Sequence, residues 1–119
     1  MANIYTNSKV DLTSTGETTV YTSPAASTTT NAATSIIKSI LVSEDSGNAD
    51  TITVTITDTS DNVFSLFKTK SISGNGTTEL LSAPLVLEES EILKVTAATA
   101  NRLHVVLSAL QSKPREVIT

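Results

Sequence analysis

Apolar and polar residues alternate along most of this chain with a period of two, and the clearest case is the run from Asp50 to Asp58. There Ile52, Val54 and Ile56 share one face and Thr51, Thr53, Thr55 and Thr57 the other, the signature of a half-buried strand. Every residue between the two aspartates is β-branched, a type that loses rotamer freedom in a helix and packs well on a pleated surface. Polar turn residues flank it at 44–48 and 58–62, and a second alternating run follows from Val63 to Lys68. Ser73-Gly74-Asn75-Gly76 is a tight-turn signal, because Asn and Gly tolerate positive φ.

Further strands are predicted at Lys9 to Thr13, Thr18 to Thr22, Ser35 to Ser43, Thr78 to Leu81, Leu85 to Glu88, Ile92 to Ala97 and Arg102 to Leu110. About eight short strands spaced by turns, with no helical period, predict an all-β antiparallel β-sandwich, jelly-roll connections being one option. The sandwich is expected over residues 17–111. Residues 1–16 read as an N-terminal arm or edge strand and 112–119 as a C-terminal tail. A Pro, Ala, Ser, Thr and Asn stretch from Ser23 to Thr34, including Thr28, Thr29 and Thr30, reads as an exposed loop.

Two strands depart from simple alternation. Ile36, Ile37, Ile40 and Leu41 put apolar groups on both faces, as do Leu103 to Leu110 with Val106 and Leu110 opposite Leu103, Val105 and Leu107. A strand apolar on both sides needs cover on both sides. Either the first 16 residues or a long loop supply it, or a second subunit does.

Composition narrows the function. Threonine (21) and serine (16) are the commonest residues of the 119, and there is no cysteine and no tryptophan. Disulfide-stapled scaffolds and thiolate metal sites are excluded. A net charge of −4 argues against a protein that binds nucleic acid by neutralising phosphates. The longest apolar runs are far below the roughly 18 residues of a membrane span. The N-terminus has neither the basic start nor the apolar stretch of a signal peptide, so synthesis in the cytoplasm is expected. A domain this small, with few aromatic residues and no covalent staple, has little stability to spare, which points to support from neighbouring subunits.

Candidate chemistry is sparse. The single histidine, His104, lies in a strand, and Ser108 on the same face is too far along for a hydrogen bond, so a triad is not expected. Glu88, Glu89 and Glu91 crowd one turn and read as a solvated loop rather than a glycosidase pair. The acidic turns around Glu44, Asp45, Asp50, Asp58 and Asp61 lack the spacing of a calcium loop. Asn75-Gly76-Thr77 matches the glycosylation pattern but reads as a turn. No nucleophile elbow, phosphate-binding loop or dinucleotide fingerprint occurs, so no enzyme, cofactor or metal is expected.

The order of the segments resembles a known group. Thr18-Thr19-Val20-Tyr21-Thr22-Ser23-Pro24, then Ser35 to Ser43, then the Thr-Ile-Thr-Val-Thr-Ile strand, resemble small virion structural proteins of tailed bacteriophages. So do Ala83-Pro84-Leu85-Val86-Leu87-Glu88, Glu91 to Val95 and Leu103 to Ser108, the resemblance covering about residues 15 to 111. It departs where Glu89-Ser90-Glu91 replaces a turn with glycine before the acid. The resemblance implies a β-sandwich located in the virion. It implies a homotrimeric head decoration (cement) protein that bridges major capsid protein subunits or contacts other virion proteins, without nucleic acid or membrane. The alternatives are a tail, neck or fibre-associated component and a carbohydrate- or receptor-binding module. The expected contact residues are Ile36, Ile37, Ile40, Leu41, Val106 and Leu110, with an N-terminal arm carrying Ala2, Asn3, Ile4 and Tyr5.

Overall fold

The structure, a computed structural model, describes residues 2–25 and 34–113, with side chains from 3 to 112 within those ranges. Most of the Ser23 to Thr34 loop and the tail from residue 114 lie outside the described residues. Nine strands follow one another: β1 (Ala2–Asp11), β2 (Thr18–Thr22), β3 (Thr34–Glu44), β4 (Asp50–Thr57), β5 (Val63–Ile72), β6 (Thr77–Glu79), β7 (Leu85–Leu87), β8 (Ile92–Ala97) and β9 (Leu103–Lys113). They form two antiparallel sheets. The larger runs β1-β9-β3-β6, with β7 also paired to β3, and the smaller runs β2-β8-β4-β5. The chain crosses repeatedly between the sheets, and this strand order is that of a jelly roll whose strand beside β3 is split into β6 and β7.

The alternation read from the sequence builds the core. Ile52 and Val54 of β4, Leu93, Val95 and Ala97 of β8, and Leu103, Val105, Leu107 and Ala109 of β9 point inward and are buried. They meet Ile37, Ile40 and Val42 of β3 between the sheets. The first residues do not cover β3. β1 lies in the sheet and pairs with β9 along its whole length, from Ala2 opposite Lys113 to Asp11 opposite His104.

The doubly apolar β3 has a local cause. Its pairing with β9 slips between Ile37 and Ser39, where Lys38 is the extra residue of a bulge. The slip turns Ile40 to the same side as Ile37, and both have no exposed surface. The expectation that Ile37 and Ile40 contact a second subunit is therefore corrected, since neither has surface to offer one. Ile36 and Leu41 face the opposite way.

The threonine face of β4 is less exposed than its polarity predicts. Thr55 and Thr57 are buried, and their Oγ1 atoms have no hydrogen-bond partner. Val63 and Ile92 stand directly opposite Thr57 on either side. A buried hydroxyl without a partner forfeits its hydration and gains nothing in return. Thr57→Val, which keeps the shape, is expected to raise the unfolding free energy by about 1 kcal/mol in urea denaturation.

At one end of the sandwich Glu44, almost fully buried, ties two turns together. Its carboxylate accepts from the Ser46 and Gly47 amides at 2.9 Å each, from the Asn75 amide at 3.1 Å, and from the Ser46 hydroxyl. Gly47 takes φ +84°, and a Cβ on Gly74 would lie 2.7 Å from the Gly47 carbonyl oxygen, so backbone meets backbone here. Burial alone would raise the Glu44 pKa, but the Ser46 hydroxyl and the amides of Ser46, Asn75 and Gly47 outweigh it and lower the value to about 2. A carboxylate depressed in the folded state stabilises the fold above its unfolded pKa, near 4.5, and that contribution is lost as the pH falls toward about 2. The thermal midpoint of Glu44→Gln is thus expected to fall below that of the wild type at pH 7. The gap should close between pH 4.5 and 2; a constant gap would show that the charge plays no part.

Candidate functional site

Among the described residues, the outer face of the five-stranded sheet holds the largest group of exposed large apolar side chains, Tyr5, Leu41, Val86 and Val106. Cross-strand register places them in rows, because directly opposed residues share a face. Tyr5 on β1 stands opposite Leu110 on β9, Leu110 opposite Ile36 on β3, and Ile36 opposite Val86 on β7. Four strands thus carry one continuous apolar stripe, about 14 Å long at the usual strand spacing of roughly 4.8 Å. Tyr5 is 75% exposed and Val86 56%, while Ile36 and Leu110 between them are half-buried.

A second row begins with Lys9, passes through Val106 and Leu41, and ends at Glu79. Between the rows Asn7, Ser108 and Ser39 form a polar line. The Lys38 bulge stands beside it over a shallow hollow of about 280 Å³ lined by Tyr5, Asn7 and Ser108. Glu79 is held in place. Burial works to raise its pKa, but the Ser39 hydroxyl and the Ile40, Leu81 and Leu80 amides prevail and lower it, so it stays an anion at the sheet edge.

The face therefore combines an apolar stripe with a cation and an anion at the ends of the adjoining row. It offers adhesion. At roughly 13 Å between rows, the patch is on the order of 200 Å², smaller than the largest patch on a typical monomer.

Six of the expected contact residues border this surface: Ile36, Leu41, Val106, Leu110 and Tyr5 face outward, and Asn3 is exposed beside them. Ile4 is 44% exposed although its register, opposite Gln111, puts it on the inward side. Ala2 pairs with Lys113 at the strand end. Val86 is not among the expected contact residues, although the run Leu85-Val86-Leu87 has the same doubly apolar signature as β3.

Other chemistry stays dispersed. His104 lies at the far end of the same face, with Nε2 3.2 Å from Asp11 and Nδ1 3.7 Å from Asp45. The two carboxylates approach different ring nitrogens from opposite sides and do not converge on a point where a metal could sit. Among the described residues no group of three or more His, Asp or Glu could hold a metal ion. In the acidic turn, Glu91 accepts from the Glu88 amide at 2.7 Å, a turn-closing contact.

No family model matches the chain, and no curated protein is similar to it. Among solved structures it is similar to a chain described under "Bacillus endospore appendages form a novel family of disulfide-linked pili". The TM-score is 0.53 at 8% identity, over 95% of this chain and 89% of that one. A likeness at that identity is one of fold.

Proposed function

We propose that this protein is a structural subunit of a phage virion, a head decoration protein that lays the outer face of its five-stranded sheet on the shell and bridges neighbouring capsid subunits. The stripe Tyr5, Leu110, Ile36 and Val86 carries the reading, with the resemblance of the segment order to that of small virion proteins as its second support. Even if it were wholly apolar, a patch of about 200 Å² would yield at most roughly 5 kcal/mol of gross hydrophobic gain at ~25 cal/mol/Å², and the polar line of Asn7, Ser108 and Ser39 through it lowers that. Losing translational and rotational freedom costs about 4–15 kcal/mol, so one such contact does not hold a lone copy. Repeated contacts on a regular shell overcome this through avidity.

The test is to add purified protein to heads prepared without it, sediment them and locate the bound density by cryo-electron microscopy. Density at joints between capsid subunits is expected. Density along the tail alone would transfer the reading to a tail or neck component.

A second reading follows from the fold likeness to an appendage chain: a subunit that joins copies of itself into a filament. That neighbour is described as disulfide-linked, and this chain has no cysteine, so any filament here would form without disulfides. Fibres growing from the purified protein alone would favour it over shell binding.

A further inference from the structure

A sandwich of two open sheets has edges, and unpaired edge strands invite pairing with another chain unless something blocks them. Three of the edges here are blocked. β2 has five residues, its register on β8 slips between Thr19 and Tyr21, and the Val20 carbonyl is taken by the Ser8 hydroxyl. β5 slips twice against β4, has Thr69 at φ 50°, and carries Lys68 and Lys70. β6 and β7 are three residues each, with Pro84 in the segment between them.

Of these devices β1 has only charge, at Lys9 and Asp11, and the two are of opposite sign. Its ten residues pair with β9 without a register shift, and it contains no proline, no glycine and no positive φ. The Leu12 amide donates to the Leu103 carbonyl at 3.0 Å, which fixes the phase of the ladder. Backbone groups alternate along a strand, so the even-numbered residues of β1 turn their amides and carbonyls to β9. Asn3, Tyr5, Asn7, Lys9 and Asp11 turn theirs to the open edge, the Asp11 carbonyl alone being already engaged, by the Thr13 amide at 3.0 Å.

We propose that β1 is the pairing edge of a homodimer, in which two copies join β1 to β1, antiparallel, about a twofold axis through Asn7. This register alone engages all five outward-turned residues on each copy, for about eight backbone hydrogen bonds once the two Asp11 carbonyls, each already accepting from the Thr13 amide, are set aside. Its side-chain pairs are compatible throughout. Tyr5 faces Lys9 of the second copy, a cation beside an aromatic ring; Asn3 faces Asp11; Ile4 faces Val10; Thr6 faces Ser8; and Asn7 faces itself. No like charges meet. Ile4, exposed on the inward side of the monomer, gains an apolar neighbour. The two five-stranded sheets become one continuous sheet, and the contact is isologous and closed.

This proposal makes no use of the shell. Light scattering on the purified chain is expected to give twice its 12.5 kDa mass. Asn7→Pro removes an amide hydrogen that faces solvent in the monomer, a place where an edge strand tolerates proline, and should give the monomer mass with an unchanged circular dichroism spectrum. Asn7→Cys places the chain's only thiol on the axis. Its mate lies about 5.5 Å away between Cα atoms, within disulfide range, so mild oxidation should cross-link it. Thr59→Cys, in an exposed turn, should stay uncross-linked under the same conditions.

A wild-type monomer or trimer would overturn the proposal, as would an Asn7→Pro protein that keeps the dimer mass. Should Asn7→Pro fail to fold, the cross-linking contrast decides alone. Loss of shell binding with the dimer intact counts only against the decoration reading, and a shell-binding monomer counts only against this one.

Discussion

Ile40→Ala is expected to lower the unfolding free energy by about 2–5 kcal/mol, whereas Leu41→Ala, one residue on, should cost less than about 1 kcal/mol. Ile40 has no exposed surface and stands directly opposite Leu107, which has none either, so truncation leaves a cavity walled by groups already packed on the second sheet. Leu41 is 39% exposed on the outer face, and its truncation leaves no void. A domain of this size has about 5–15 kcal/mol of stability in all, so the first change removes a large share of it. Urea denaturation of both variants at a common slope measures the contrast. Equal losses would mean that the Lys38 bulge does not turn Ile40 inward.

That bulge marks the limit of what periodicity reveals. By parity alone Ile36 and Ile40 share a face and Ile37 opposes them, which spreads apolar groups over both sides and invites a subunit contact for all of them. One inserted residue brings Ile37 and Ile40 into phase and leaves Ile36 with Leu41 outside. No residue type signals the insertion: Lys38 and Ser39 are ordinary strand residues. In β9 there is no insertion, and the alternation of Leu103, Val105, Leu107 and Ala109 against His104, Val106, Ser108 and Leu110 predicts the faces residue by residue.

The alternation of β1 is legible only from Lys9 onward, and the residues before it read as an arm or an edge strand, because an edge strand exposed on its outer face and only half-covered on the other carries Asn3, Thr6, Asn7 and Ser8 where a central strand would carry Val or Ile. The polar face of β4 was plain from its threonines, but their burial depends on Val63 and Ile92 of neighbouring strands. Val86 shows the reverse limit. Its side is readable from three consecutive apolar residues, yet its place in the stripe follows only from its pairing with Ile36.

The stripe itself gives the largest expected change in binding. Tyr5→Asp combined with Val86→Asp puts a carboxylate at each end of the row, at the two positions of highest exposure, 75% and 56%, so the fold should be unaffected. Seating either group on an apolar contact strips its hydration without a partner. A combined loss of about 3 kcal/mol corresponds to roughly a hundredfold weaker association with heads, enough to abolish co-sedimentation of a contact whose gross gain is at most about 5 kcal/mol. The same pair of changes leaves the β1 edge competent, because the carboxylate at position 5 would lie opposite Lys9 of the second copy, an attractive pair in place of the aromatic one. The double variant is therefore expected to stay dimeric while losing the shell. A variant that still binds heads as tightly as the wild type would show that the outer face of the five-stranded sheet is not the docking surface.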